Sequence, residues 1–226
     1  MKKNKLGKKE WIILSVAVLA LLVFVILIFS KGAFVGKATA TGLPLDKLLA
    51  YYDFDLVADN KAPEYMNQLD TTLYNYQILG ESINKKSVKF PDTDGYGEIY
   101  DPAKKLDPTG NNFAISVWVK LEGLALPQFI YDARGVKTNA AGALVGDETK
   151  GFSMVKMANG KIRLVIGDGT ITKTLESTVS IGTAWTHLVI NRDSSVISLY
   201  INGEKNNQIS VPLVFFGNYH RKIIGN

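Results

Sequence analysis

Residues 184–205 read AWTHLVINRDSSVISLYINGEK, and this stretch decides the fold. From Val196 to Asn202 apolar and polar side chains alternate, which puts Ile197, Leu199 and Ile201 on one face of an extended chain. Ala184 to Asn191 is apolar on both faces in its middle, the pattern of a central strand. Arg192-Asp193-Ser194-Ser195 joins the two as a longer hairpin loop. Asn202-Gly203 closes the unit with residues that tolerate positive φ, the requirement of a type I′ turn. Two adjacent antiparallel strands followed by a tight turn give an all-β nucleus.

Working outward, the same alternation recurs. In Phe113–Lys120, FAISVWVK, the residues Phe113, Ile115, Val117 and Val119 share one face, and Ala114, Ser116, Trp118 and Lys120 share the other. Lys161–Gly167, KIRLVIG, lines up Ile162, Leu164 and Ile166. Asn159-Gly160 is a second type I′ signal and Asp168-Gly169 is a third turn. No run after Leu48 carries helical periodicity. Short strands with regular turns indicate a sandwich or barrel. Gly135–Gly151 holds no strong strand pattern and is expected to be a long surface loop.

The N-terminal part has different chemistry. Residues 1–10 carry five lysines and one glutamate. Trp11–Phe29, WIILSVAVLALLVFVILIF, follows with Ser15 as its only clearly polar residue. A helix of that length spans ~28 Å at ~1.5 Å per residue, matching the ~30 Å hydrocarbon layer. The expected organisation is a basic cytoplasmic tail at 1–10, a transmembrane helix at 11–30, a linker at 31–47 and a β-domain at 48–226. Lysines before the apolar run outnumber those just after it, so the positive-inside rule places the β-domain outside the cytoplasm. Ala38-Thr39-Ala40 has the small-x-small form of a signal-peptidase site. The apolar run exceeds the usual 7–15 residues of a cleaved signal, so a retained single-span anchor is the reading.

The net charge of +5 comes from residues 1–40; the remainder is nearly neutral. A nucleic-acid binder carries its positive charge on the folded domain, so nucleic acid is set aside as a partner. The chain has no cysteine, which excludes disulfides, thiolate metal sites and a cysteine nucleophile.

Several segments taken together resemble the laminin-G-like, concanavalin-A-like jelly-roll family of microbial surface proteins. LLAYYDFD at 48–55 resembles the family's opening strand, and SVKFPDTDGYGEIYD at 87–101 a further family stretch. NNFAISVWVK at 111–120, GFSMVKMANGKIRLVIGDG at 151–169 and the 184–205 segment follow in family order. The resemblance implies an antiparallel jelly-roll β-sandwich at 48–226. It also implies a further strand after the Ile-Gly motif, where the sequence reads RKIIGN, so the domain is expected to be truncated at its C-terminus. Family members often hold calcium near the first strand. That implies Asp55, Asp59 and Asp92 as its ligands here, with Asn60 and Asp94 nearby.

No catalytic residue is assigned. Glu98 and Asp101 are three apart and would face opposite ways on a strand. A retaining glycosidase needs carboxyls ~5–5.5 Å apart on one side of the substrate. His187 reads as a hydrogen-bonded structural histidine, and no zinc, phosphate-loop or dinucleotide motif appears. Trp118, opposite the core set on its strand, is the candidate for sugar stacking. The expected function is a membrane-anchored binding or adhesion module for glycan or surface protein. The alternatives are a structural domain of an envelope or pilus-like assembly, and a glycan-active enzyme.

Overall fold

The computed structural model describes residues 49–226 except 81, 84, 92–93, 104, 107–111, 122–125, 143, 212–220 and 226. The tail at 1–10, the anchor at 11–30 and the linker at 31–47 lie outside the described residues, as do Asp92 and His220.

Among the described residues every regular element is a strand. In chain order they are β1 (Lys61–Ala62), β2 (Thr71–Tyr74), β3 (Gln77–Leu79), β4 (Ser87–Lys89), β5 (Tyr96–Tyr100), β6 (Asn112–Val119) and β7 (Gln128–Thr138). Then come β8 (Leu144–Lys156), β9 (Lys161–Asp168), β10 (Thr172–Ser180), β11 (Thr186–Asp193), β12 (Val196–Ile201), β13 (Glu204–Ser210) and β14 (Arg221–Ile224). An eight-stranded sheet has the order β1-β2-β5-β14-β7-β8-β9-β10, and a four-stranded sheet the order β13-β12-β11-β6. β3 and β4 form a separate hairpin. All strand pairs are antiparallel.

The core lies between the two large layers. Phe152, Met154, Ile162, Leu164, Ile166 and Leu175 from one sheet meet Leu188, Ile190, Ile197 and Leu199 from the other. These are the apolar positions that alternation marks out, and each large aliphatic removed from water stabilises by ~1.5–3 kcal/mol before chain entropy is set against it. Along β11 the burial alternates strictly, as expected for a strand with one face on the core. One edge of the sandwich is stitched by side chains. The Thr178 amide donates to Asn206 Oδ1 at 2.8 Å, and Asn207 Nδ2 donates to the Glu176 carbonyl at 2.7 Å.

Four local expectations are corrected. Gly135–Gly151 is no loop: it belongs to β7 and β8, which pair from Gln128↔Lys156 to Thr138↔Leu144 with a register shift at Arg134/Gly135. Backbone pairing and polar cross-strand contacts build this ribbon, so it leaves no apolar alternation. The Lys137 ammonium, for example, lies 3.8 Å from Asp147. The segment resembling an opening strand, Tyr51–Asp55, is not extended pairing, because Phe54 sits at φ 59. It is held by the Tyr51 amide donating to Glu64 Oε1 at 2.9 Å and by the Tyr52 hydroxyl donating to the Leu69 carbonyl at 2.6 Å. Arg192–Ser195 is shorter than expected, since only Ser194 and Ser195 separate β11 from β12, with Ser194 at φ 55. The Asn159-Gly160 turn is not type I′. Only Gly160 has positive φ, and its amide donates to the Met157 carbonyl at 2.9 Å. Asn202 and Gly203, at φ 52 and 86, do form the expected type I′ pair.

Beneath β5 and β14 lies a buried charge pair. Lys222 Nζ is 3.6 Å from Asp101 Oδ2, and both side chains are essentially inaccessible to water. The same carboxylate accepts the Lys105 amide at 2.9 Å and the Leu106 amide at 2.8 Å. Asp101 thereby ties the strand β5, the turn after it and β14 together.

Candidate functional site

The outward face of the four-stranded sheet carries the site. Register places Trp118 on β6 directly opposite His187 on β11. Directly opposed residues share a face, and their side chains touch. The two rings stack with centroids 4.7 Å apart and planes 17° from parallel. Ser116, two residues back on the same face, sits 2.8 Å through Oγ from His187 Nε2. Across the sheet, Val189 pairs with Ser116 on one side and Tyr200 on the other, and Tyr200 in turn pairs with Lys205. The result is an aromatic shelf, a pair of Trp118 and His187 with the Ser116 hydroxyl at its border, and Lys205 three strands away on the same face.

Trp118 is 39% exposed although its neighbours hold it in place. An indole braced on one face and open to water on the other loses little side-chain entropy when a ligand covers it. The stack itself contributes ~0.5–1.5 kcal/mol. His187 is braced too: its amide donates to Asn202 Oδ1 at 2.9 Å, so the type I′ turn and the shelf are one unit. The expected hydrogen-bonded histidine is observed, but it stands on the outer face beside Trp118.

Burial holds the His187 imidazole below its ordinary pKa of 6.5. The folded chain therefore resists a proton that the unfolded chain takes up. Stability is level above about pH 6.5 and falls as pH drops below it. Denaturation measured across about pH 7.5 to 4.5 should show this fall, and His187→Gln should remove it. The carboxyls of Asp147 and Asp168 are also held low, by Thr149 and by the Ile171 and Thr170 amides, but they titrate below the ordinary carboxylate value of 3.8. The histidine window is separate from theirs.

Asp55 and Asp59 do not make a cage between them. The Asp55 carboxylate is held by Lys85 at 3.0 Å and accepts the Lys86 amide at 3.1 Å. An ammonium thus stands where a metal would approach. Asp59 is exposed in a turn at φ 49. Among the described residues no three acidic or histidine side chains converge as a metal site. Glu98 and Asp101 do not share a face: Glu98 lies on the outer side of β5, and Asp101, just past the end of that strand, is buried against Lys222.

A second aromatic surface escapes the sequence reading. On the outer face of the eight-stranded sheet Tyr74 stacks on Tyr96 with centroids 4.7 Å apart, and Tyr100 is 60% exposed further along β5. Alternation in YGEIY was the available signal, but it does not say that Tyr74 falls opposite Tyr96.

Solved structures share this architecture. The binding domain of Paraclostridial Mosquitocidal Protein 1 superposes with a TM-score of 0.61 at 14% identity, over 80% of this chain and 44% of that one. The receptor binding domain of botulinum neurotoxin D superposes with a TM-score of 0.54 at 13% identity, over 78% of this chain and 43% of that one. The chain spans less than half the length of these structures, and at such identities the likeness is one of fold. No curated protein matches the sequence. A family model does, across residues 91–226, which include both halves of the sandwich core and the Trp118–His187 shelf. By that match over more than half of its length, the chain belongs to the concanavalin A-like lectin/glucanases superfamily.

Proposed function

We propose that this protein is a membrane-anchored, extracytoplasmic binding module whose jelly-roll domain recognises carbohydrate through Trp118 and His187. The observation that carries the reading is the braced, half-open indole with polar groups at its border. A pyranose has an apolar face of C–H bonds and a rim of hydroxyls. A flat aromatic side chain takes the face, while Ser116 and His187 are placed to meet the rim. The structural relatives are themselves named as binding domains, which favours recognition over catalysis as the use of this fold. The outward Glu98 and inward Asp101 supply no acid–base pair on one face, in keeping with that choice. The apolar run at 11–30 supports the anchor. A calcium ion at Asp55 would compete with Lys85, and the reading does not depend on one.

The test is a glycan array followed by calorimetry with the best ligand. Trp118→Ala should weaken binding at least tenfold, equivalent to about 1.4 kcal/mol. Its stability should change by only about 1 kcal/mol, because the ring is half in water. Unchanged affinity in Trp118→Ala, or no glycan bound by the parent chain, would overturn the proposal.

A further inference from the structure

The outer face of the large sheet carries a line of tyrosines that the Trp118 reading does not use. Tyr74 on β2 lies directly opposite Tyr96 on β5, and the two rings stack with planes 26° from parallel. Tyr100 follows on the same face of β5, four residues further along, which is ~13 Å in an extended strand. Tyr74 and Tyr100 are both exposed. Between the aromatic ends runs a row of polar side chains: Lys61 on β1 pairs with Thr72 on β2, and Thr72 with Glu98 on β5. The backbone beneath is fixed. A Cβ on Gly95 would come 2.6 Å from the Asn75 carbonyl oxygen, so β2 and β5 close tightly beside the stack. Across the same end Asn75 Nδ2 donates to Asp94 Oδ1 at 2.8 Å. Rings held in this way lose little freedom when a ligand covers them. Single exposed aromatics are ordinary, but three in line on one braced face mark a binding surface.

We propose that this strip is a second carbohydrate site, one that takes an extended, hydroxyl-rich oligosaccharide lying along β5. The order of the side chains selects the ligand. Protein-docking surfaces place their aromatic residues at the centre and polar groups around the rim. Here the aromatic rings stand at the two ends, and Thr72 and Glu98 hold the middle. Anionic lipid surfaces recruit clusters of basic residues, whereas the strip has one lysine in the same row as one glutamate. A sugar chain alternates between faces of C–H bonds and rims of hydroxyls. Its rings cover Tyr74 and Tyr100, and the hydroxyls between them meet Thr72 and Glu98. The span between the tyrosines requires several linked rings, whereas the single indole of Trp118 serves one. The strip shares the ligand class of the Trp118 reading and none of its residues. Because it lies on the other sheet, one domain can hold two separate glycan strands and gain avidity on a surface that displays both.

The test removes the Trp118 shelf first. Full-length chain carrying Trp118→Ala, in a detergent without a sugar headgroup, is titrated by calorimetry with hexasaccharides of β-1,4-glucan, β-1,3-glucan, chitin and mannan. It should still bind at least one of them. Adding Tyr100→Ala should weaken that binding roughly tenfold, and Tyr74→Ala should do the same. Tyr100 is mostly in water, so its loss leaves the fold intact, and Ile171→Ala, at an exposed site between β9 and β10, should leave the affinity unmoved. No hexasaccharide bound in the Trp118→Ala background, or an affinity that Tyr100→Ala does not change, would overturn the proposal. So would a loss with Tyr100→Ala seen only on vesicles of phosphatidylcholine and phosphatidylglycerol, which would assign the strip to lipid. Parent and Trp118→Ala chains that bind alike, with Tyr100→Ala weakening both, would sink the shelf and support the strip.

Discussion

Gly151→Ala should lower the stability of the domain by about 4 kcal/mol, the sum of a strained backbone and an overfilled position. Gly151 sits in β8 at φ +94, where an L side chain is rarely found. A Cβ there would collide with the Ala133 carbonyl oxygen and lie 2.8 Å from Arg134 Cα. Both obstacles are backbone, so no side-chain rotation relieves them. The position is also central: Gly151 pairs with Arg134 on β7 and Gly167 on β9, beside the register shift that bends the ribbon. A glycine at such a shift bends the strand and lets two backbones approach. For a chain of this length the loss corresponds to a fall in midpoint of roughly 8–16 °C by thermal denaturation. Gly182→Ala is the control, since nothing stands within 4 Å of its added methyl, and it should be nearly neutral. A Gly151→Ala midpoint within a degree or two of the parent would show that the β7–β8 ribbon does not have this geometry.

Lys222→Met should cost about 3–5 kcal/mol, as measured when one partner of a buried pair is removed. The methionine fills most of the lysine's volume, so the loss reports the charge. What remains is a carboxylate sealed from water with the Lys105 and Leu106 amides but no ammonium beside it. Taking two ions out of water is itself costly, so the pair need not stabilise much relative to an apolar equivalent; the penalty lies in leaving one ion behind. A double-mutant cycle separates these effects. Asp101→Asn combined with Lys222→Met should cost at least about 1 kcal/mol less than the sum of the single changes. Additive losses in urea denaturation would mean that the two groups do not interact.

These two sites mark where the sequence stops being legible. Val196–Ile201 and Lys161–Asp168 declare themselves because one face of each must be apolar, and burial enforces that on the sequence. β7 and β8 pair over most of their length, interrupted by register shifts, and their outer stretch carries Lys137, Asp147 and Thr149, polar residues that give no strand signal. Lys222 is hidden for the opposite reason. In RKIIGN it looks like a solvated charge, and only the pairing of β14 between β5 and β7 carries it inward to Asp101. The shelf was half legible. Alternation set Trp118 away from the core, but its stack on His187 depends on a register fixed by neither strand alone.

The place of β14 also governs how the molecule is made. It pairs Lys222 with Ile99 and Ile223 with Asp132, contacts that reach back across much of the polypeptide. The middle of the large sheet therefore stays a gap, with β5 and β7 apart, while everything before residue 221 is synthesised. Loop closure over such distances is entropically costly, so the large sheet should close only once β14 is available, rather than strand by strand along the chain. Until then the facing edges of β5 and β7 stay unpaired, open to chaperones or to pairing with the wrong strand.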